Sequence, residues 1–394
     1  MKVALVVIAY NRLPGVERLL KSLSTADYSG RKVDLFISVD KSGTDLVEKF
    51  ADGYEWPFGD KEVVKHTERL GLRKHILSQG KLLDRYDAIV VLEDDLVVSP
   101  CFYHYVEQAV EKYSSDERIA GISLYAFQMN YQRQIPFEPV KTEFDAFFMK
   151  CAMSWGQVWM KRQWEAFYKW YLDNLAYDYS PAVPSCLYTW PDSSWLKYHT
   201  RYCIEREKYF VYPYCSLSTD FSDVGTHNPD AGNTTVFQVP LQRGSKDLFL
   251  LPDLDGQSVR YDGFFENEGL YAALGLSPAD CALDINGGNG NRVGKRYWLT
   301  TSKQKCRIVS SYGMNLRPVE MNVIESVPGE DIFLYDTQDG EPARSRGISR
   351  SLILFSYHLQ SVFSLMRIYG PFRFFIDPAK TFLHKLGLKI KKLF

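Results

Sequence analysis

Glu93, Asp94 and Asp95 follow directly on Ala88 to Leu92, five apolar residues in the segment AIVVLEDDLVV. At the end of a buried strand, three adjacent carboxylates repel one another and lose hydration, so they need a positive partner. Carboxylate oxygens are hard ligands suited to Mg2+ or Mn2+, ions that keep part of their shell for water or phosphate oxygens. The trio therefore reads as half of a metal site that a diphosphate completes. The plainer alternative is that Asp94 and Asp95 cap a turn into the next helix.

The elements that must position the trio follow from the hydrophobic pattern. Residues 3–9 form a continuous valine-rich run, the pattern of a strand buried on both faces. Apolar residues at 16, 19, 20 and 23 predict a helix over 14–24. Strands are expected at 33–39, 61–65, 88–92 and 119–123. Helices are expected at 45–50 and 73–83, and from Ser99-Pro100 to about Tyr113. Strands alternating with helices indicate an α/β fold with a mostly parallel sheet, in which ligands bind outside the carboxyl ends of the strands. Tyr10-Asn11-Arg12, Asp40 and Glu93-Asp94-Asp95 all fall at those ends.

The rest of the chain sets bounds. With 394 residues, 45% hydrophobic and 24% charged, it is long enough for one large domain with additions. A net charge of −1 gives no global field to attract nucleic acid, and no nucleic-acid partner is expected. The seven cysteines are odd in number, widely spaced and lack a C-x-x-C pair, which fits free thiols in a reducing compartment. The apolar run at the N-terminus is short and ends at Tyr10-Asn11-Arg12, so a strand fits it better than a signal peptide. Six of the eight tryptophans lie between 144 and 214. Of these, Trp155, Trp190 and Trp195 could stack on sugar faces, although tryptophans more often fill cores. The organisation expected is a domain over 1–240, a small turn-rich α+β module over 241–345, and a C-terminal helical segment over 346–394. Within that segment, 378–394 reads as a basic amphipathic helix, an interfacial anchor for anionic lipid or else a helix docked on the protein itself.

The motifs VVIAYNR (6–12), ISVDKSG (37–43) and VVLEDDLVVSP (90–100) resemble glycosyltransferases of the GT-A fold. Their order is especially similar to the N-acetylglucosaminyltransferase I type, whose E-D-D form of the D-x-D motif is preceded by a helix like HTERLGLRKHILSQ (66–79). The resemblance continues through MSWGQVWMKRQWEAF (153–167) and WPDSSWLKYHTRYCIERE (190–207) and spans roughly 1–230. The module and basic tail look more like bacterial family 2 transferases that build cell-surface polysaccharide.

That resemblance implies a Rossmann-like sheet and a metal-dependent, inverting transfer of a sugar from a nucleotide-diphosphate donor, most simply UDP-linked. The acceptor would be a saccharide or lipid-linked glycan, and the place the cytoplasmic face of a membrane. By the same resemblance, Asp95 would bind Mn2+ or Mg2+, with His227 in DVGTHN (223–228) near the metal. Glu93 and Asp94 would hold donor hydroxyls, and Asp40 the nucleobase. Ala9, Tyr10 and Arg12 would line the nucleotide pocket, and Arg73 or Lys74 would reach the phosphates. Asp192 would be the catalytic base, with Asp178, Asp220 and Asp223 as rivals. Two other readings share the fold. A sugar nucleotidyltransferase would want a glycine-rich basic loop after the first strand, where this chain has Tyr10-Asn11-Arg12-Leu13-Pro14-Gly15. A non-catalytic sugar-binding protein would not need the trio.

Overall fold

In the computed structural model the apolar runs become the middle of one sheet. The structure describes residues 1–176, 178, 180–221, 237–289, 292, 294–342, 366, 367 and 370. The chain divides into two units, Met1–Arg350 and Ser351–Phe394, and the elements named here belong to the first. His227 and the 378–394 tail lie outside the described residues.

In chain order the elements begin β1 (Val3–Ala9), α1 (Leu13–Ser24), β2 (Asp34–Val39), α2 (Leu46–Gly53), β3 (Lys61–Lys65), α3 (Leu72–Ser78), β4 (Ala88–Glu93), β5 (Leu96–Val98), α4 (Phe102–Tyr113) and β6 (Ile119–Ser123). After the short hairpin β7 (Met129–Asn130) and β8 (Ile135–Pro136) come β9 (Ala146–Met149), β10 (Gln157–Met160), α5 (Lys161–Asp173), α6 (Leu196–Glu205), β11 (Tyr209–Pro213), β12 (Ser218–Asp220) and β13 (Arg260–Tyr261). The series closes with α7 (Gly269–Leu274), β14 (Cys281–Asp284), β15 (Tyr297–Thr300), β16 (Lys305–Tyr312), α8 (Met321–Ile324) and β17 (Ile332–Glu341).

The main sheet has nine strands in the order β13-β9-β11-β6-β10-β4-β1-β2-β3. β3, β2, β1, β4, β6 and β11 run one way, whereas β10, β9 and β13 run against them. The sheet is thus mostly parallel and flanked by helices, the α/β class expected. Every residue of β1 is buried. Leu5, Val7 and Ala9 face a core shared with α1 and α4, and Ala4, Val6 and Ile8 face a second shared with α3, α5 and α6. At about 1.5–3 kcal/mol for each fully buried large aliphatic side chain, this double burial makes β1 the firmest platform for a loop at its end.

Two boundaries differ from the sequence expectation. The helix expected over 73–83 stops at Ser78 and tightens into a 3-10 turn over Gln79–Asp84. The reason is Gly80, over which the Trp164 indole lies so closely that an added Cβ would sit 2.1 Å from its nitrogen. β5, too short to read from periodicity, leaves the acidic trio and pairs antiparallel with β12, aligning Leu96 with Asp220. The turn-rich region contributes a separate four-stranded sheet, β14-β15-β17-β16. Its first loop is tied down by Glu266, whose carboxylate accepts the amides of Ile285 and Asn286 at 3.1 and 2.8 Å.

Most tryptophans serve the second core. Trp159 stacks on Trp164 at 4.0 Å, and Trp195 is buried against Trp159, which rules it out as an exposed sugar platform. His199 of α6 stacks on Phe167 at 3.9 Å, and neither ring nitrogen has a hydrogen-bond partner among the described residues. Burial lowers its pKa from 6.5 to about 3. The unfolded chain therefore takes up a proton near pH 6.5 that the folded chain refuses, and stability falls as pH falls below that value. Replacing His199 with Phe should remove this loss, so the variant should gain on wild type by about 2 kcal/mol between pH 7 and pH 5. Urea unfolding at both pH values measures the difference, and any constant repacking offset cancels. An unchanged difference would show that His199 is not held neutral.

Candidate functional site

Strand register brings the three polar clusters to one edge. Ile8 pairs with Glu93 across β1 and β4, Ala9 pairs with Val39 across β1 and β2, and the Asp40 amide donates to Ala9 O at 2.9 Å. The loops leaving these adjacent parallel strands must emerge side by side.

The positive partner of the trio is Arg12. Its Nη2 donates to Asp94 Oδ1 and, at 3.0 Å, to Asp95 Oδ2. Burial works against the Arg12 charge, but Asp94 and Asp95 outweigh it and raise its pKa. Burial also pushes Asp94 up to about 6 despite Arg12. It pushes Glu93 well above the carboxylate range, with Asp95 and Asp94 adding to the effect. Asp95 differs from both. Its side chain is 22% exposed, and its Oδ1 atom is enclosed with no hydrogen-bond partner among the described residues. An enclosed carboxylate oxygen without a donor, beside two more carboxylates, fits a hard divalent cation.

Asp40 is buried and organises the neighbouring loop. Its Oδ1 accepts the amides of Lys41 and Leu70 at 2.9 and 2.8 Å, and its Oδ2 accepts that of Gly71 at 2.9 Å. Gly71, at φ +74°, makes a turn that side-chain-bearing residues rarely adopt. A carboxylate offers about four acceptor positions, so Oδ2 keeps capacity for one further N–H. Two residues earlier, Ser38 Oγ lies 2.7 Å from His75 Nε2 and 3.2 Å from His66 Nε2, and accepts from Gln79 at 3.1 Å. Burial, with His66 beside it, lowers the His75 pKa to about 4, so the His75 ring beneath Asp40 is neutral near pH 7.

Arg73 Nη1 donates to the Tyr198 hydroxyl at 3.2 Å, joining the start of α3 to α6, and Lys74 is exposed. Arg69 lies over the Tyr10 ring at 4.9 Å, a neighbour of the site that the sequence reading missed. Asp192 is fully exposed, 3.2 Å from Lys197 Nζ. No hydrogen bond or ion pair joins it to the trio among the described residues. Trp190, two residues before Asp192, packs its ring 5.8 Å from Tyr131 in the turn between β7 and β8. Of the rival bases, Asp178 is exposed and Asp223 lies outside the described residues. Asp220 is buried on β12 and close enough to Glu93 to raise its pKa.

A second acidic group lies elsewhere. His104 Nε2 is 3.2 Å from Asp27 and 4.0 Å from Asp247. Asp27 follows the far end of α1, whose 12 residues span about 18 Å at 1.5 Å each. This group is therefore separate from the strand-end site.

No family model and no curated protein matches the chain. Among solved structures it is similar to S. aureus TarS residues 1–349, at 15% identity and TM-score 0.37 over 56% of this chain and 61% of that one. It is also similar to a Pyrobaculum calidifontis mannosyltransferase in complex with GDP-Man and Mn2+, at 15% identity and TM-score 0.32 over 54% and 56%. A third is GalNAc-T7 with UDP, GalNAc and Mn2+, at 13% identity and TM-score 0.38 over 55% and 43%. The chain thus spans less than two thirds of each.

Asp40→Ala would strand the amides of Leu70 and Gly71, at a cost of about 1–3 kcal/mol. Urea unfolding should register this loss, with Asp40→Asn milder because one oxygen remains. Unaltered stability in the alanine variant would mean that Asp40 does not organise the loop.

Proposed function

We propose that the chain is a metal-dependent glycosyltransferase of the GT-A kind, moving a sugar from a nucleoside-diphosphate donor, UDP-linked, to a saccharide acceptor with inversion. One observation carries this reading: the ends of three parallel strands converge on an enclosed acidic cluster in which Asp95 keeps an oxygen without a donor. A passive sugar-binding protein gives no reason to keep that oxygen, and a nucleotidyltransferase would want a glycine-rich basic loop where this chain has Tyr10-Asn11-Arg12-Leu13-Pro14-Gly15.

In this reading Asp95 holds Mn2+ or Mg2+, with His227 as a further ligand. When bound, the cation offsets the charge of the departing nucleoside diphosphate. Glu93 and Asp94 orient donor hydroxyls, and Asp40 receives a nucleobase N–H at Oδ2. Ala9 and Tyr10 form the pocket wall, Arg12 lies beside the carboxylates, and Arg73 faces the phosphates. Asp192 takes the acceptor hydroxyl's proton, with Lys197 holding the carboxylate in place. Its full exposure supports the role, because a polymeric saccharide must approach from solvent. The acceptor is a saccharide or lipid-linked glycan of a cell-surface polymer. Placement at the cytoplasmic membrane face rests on the sequence of 378–394; among the described residues no helix is long and apolar enough to cross a membrane.

Titrating UDP with and without Mn2+ tests the donor site. Wild type should bind UDP more tightly with the metal, and Asp95→Ala should lose that increment. Metal-independent binding, or none, would reject the proposal. Asp192→Asn should bind UDP normally while turnover falls about 10²- to 10⁴-fold. Normal turnover would shift the proton-accepting role to another carboxylate, with Asp220 first in line.

A further inference from the structure

The pairing of Arg12 with the trio suggests a control on the site beyond binding alone. We propose that Arg12 is a built-in counter-ion that holds Asp94 and Asp95 until a nucleoside diphosphate draws it off, making divalent-cation binding at Asp95 conditional on nucleotide. The inference rests on the donor-site reading of these residues.

Four observations carry it. Arg12 is anchored by its backbone, while its side chain reaches the acids partly exposed. Its carbonyl accepts the amides of Gly15 and Val16 at 3.1 Å, fixing the main chain at the start of α1, whereas the side chain is 25% exposed. Secondly, the pair is not a two-nitrogen fork on one carboxylate, the strong form of this interaction. A single nitrogen serves both acids, an arrangement easier to displace. Thirdly, the acids need a counter-charge whenever no ligand is present, because the Asp94 side chain is only 6% exposed and Glu93 and Asp220 add further carboxylates nearby. Finally, Arg12 engages only Oδ2 of Asp95 and leaves Oδ1 without a donor.

A cation arriving alone at Oδ1 therefore meets a guanidinium already seated on the other oxygen of the same carboxylate, and like charge opposes it. A diphosphate changes the balance. It offers the planar guanidinium pairs of phosphate oxygens that arginine binds in a fork, and it brings phosphate oxygens to the cation. Nucleotide and metal should then bind cooperatively, each raising the affinity for the other by the same factor. Arg12 sets the size of that factor.

The experiment titrates Mn2+ into the full chain, following the EPR signal of the free ion, with and without saturating UDP. Wild type should bind Mn2+ weakly alone and roughly 5- to 150-fold more tightly with UDP, the usual range of such couplings. Arg12→Gln should tighten binding of Mn2+ alone by about tenfold and shrink the gain from UDP. Arg12→Lys, which keeps the charge but not the planar fork, should fall between. A folded Arg12→Gln protein, judged by circular dichroism, that binds Mn2+ alone no more tightly than wild type would overturn the proposal. If that variant does not fold, Arg12→Lys decides by the same criterion. Wild type that binds no Mn2+ even with UDP would instead reject the metal site, and this inference with it.

Discussion

Carboxylates can be buried at a strand end only with an opposite charge within a few ångströms, and in this chain Arg12 supplies that charge to Asp94 and Asp95. Much of the architecture serves that contact. Arg12 follows β1 by three residues and the trio ends β4, so they meet only because β1 and β4 are adjacent and parallel. An antiparallel pairing would send the two loops to opposite edges. Double burial of β1 and β4 fixes the register, since a one-residue slip would turn an aliphatic face of β1 from one packed core toward the other.

Around this contact the strand-end loops are tied down by hydrogen bonds, whereas the Asp192 turn is exposed. Asp40 clamps the loop before α3 through the amides of Leu70 and Gly71, and the Ser38, His66, His75 and Gln79 network fastens α3 to β2 below it. On the other side β5 and β12 close over the trio, with the Phe221 amide donating to Asp95 O at 2.8 Å. The backbone of the acidic segment is therefore held on two sides, leaving side chains to respond to charge. The Trp190–Asp192 turn stands in solvent with one ionic contact to Lys197. On the proposed reading, a tied-down donor pocket beside an exposed turn suits a transfer in which the small partner is bound before a large one.

The sequence revealed the sheet better than the site. β1, β3 and β6 match residue for residue; β1 is a continuous valine-rich run buried throughout, whereas β3 is the part-exposed edge of the sheet. β5 escaped notice because three residues show no period, and α3 ended early because the Trp164 contact at Gly80 is tertiary. The strand-end clusters were legible because a parallel sheet dictates where its loops emerge. Their partners were not. Nothing local tells that Asp40 would take the amides of Leu70 and Gly71, thirty residues on, or that Arg12 would sit on the trio. The sequence posed the need for a positive charge and suggested a metal, while an arginine eighty residues upstream already met part of that need. Asp220 became a neighbour of Glu93 only through β12, an association across more than a hundred residues.

The three carboxylates are not equivalent, and burial is what separates them. Glu93 and Asp94 are driven toward their neutral forms by desolvation, and Asp94 is held partly charged by Arg12. A neutral or hydrogen-bonded carboxyl suits recognition of hydroxyl groups better than coordination of a hard ion, which requires the anion. Asp95 is the least buried side chain of the Arg12-paired acids and retains an enclosed oxygen without a donor. The division of labour proposed for the trio, cation at Asp95 and donor hydroxyls at its neighbours, matches the difference between Asp94, 6% exposed, and Asp95, 22% exposed with an enclosed oxygen that no donor reaches among the described residues. Arg12, bonded to both acids, sits where the two roles meet.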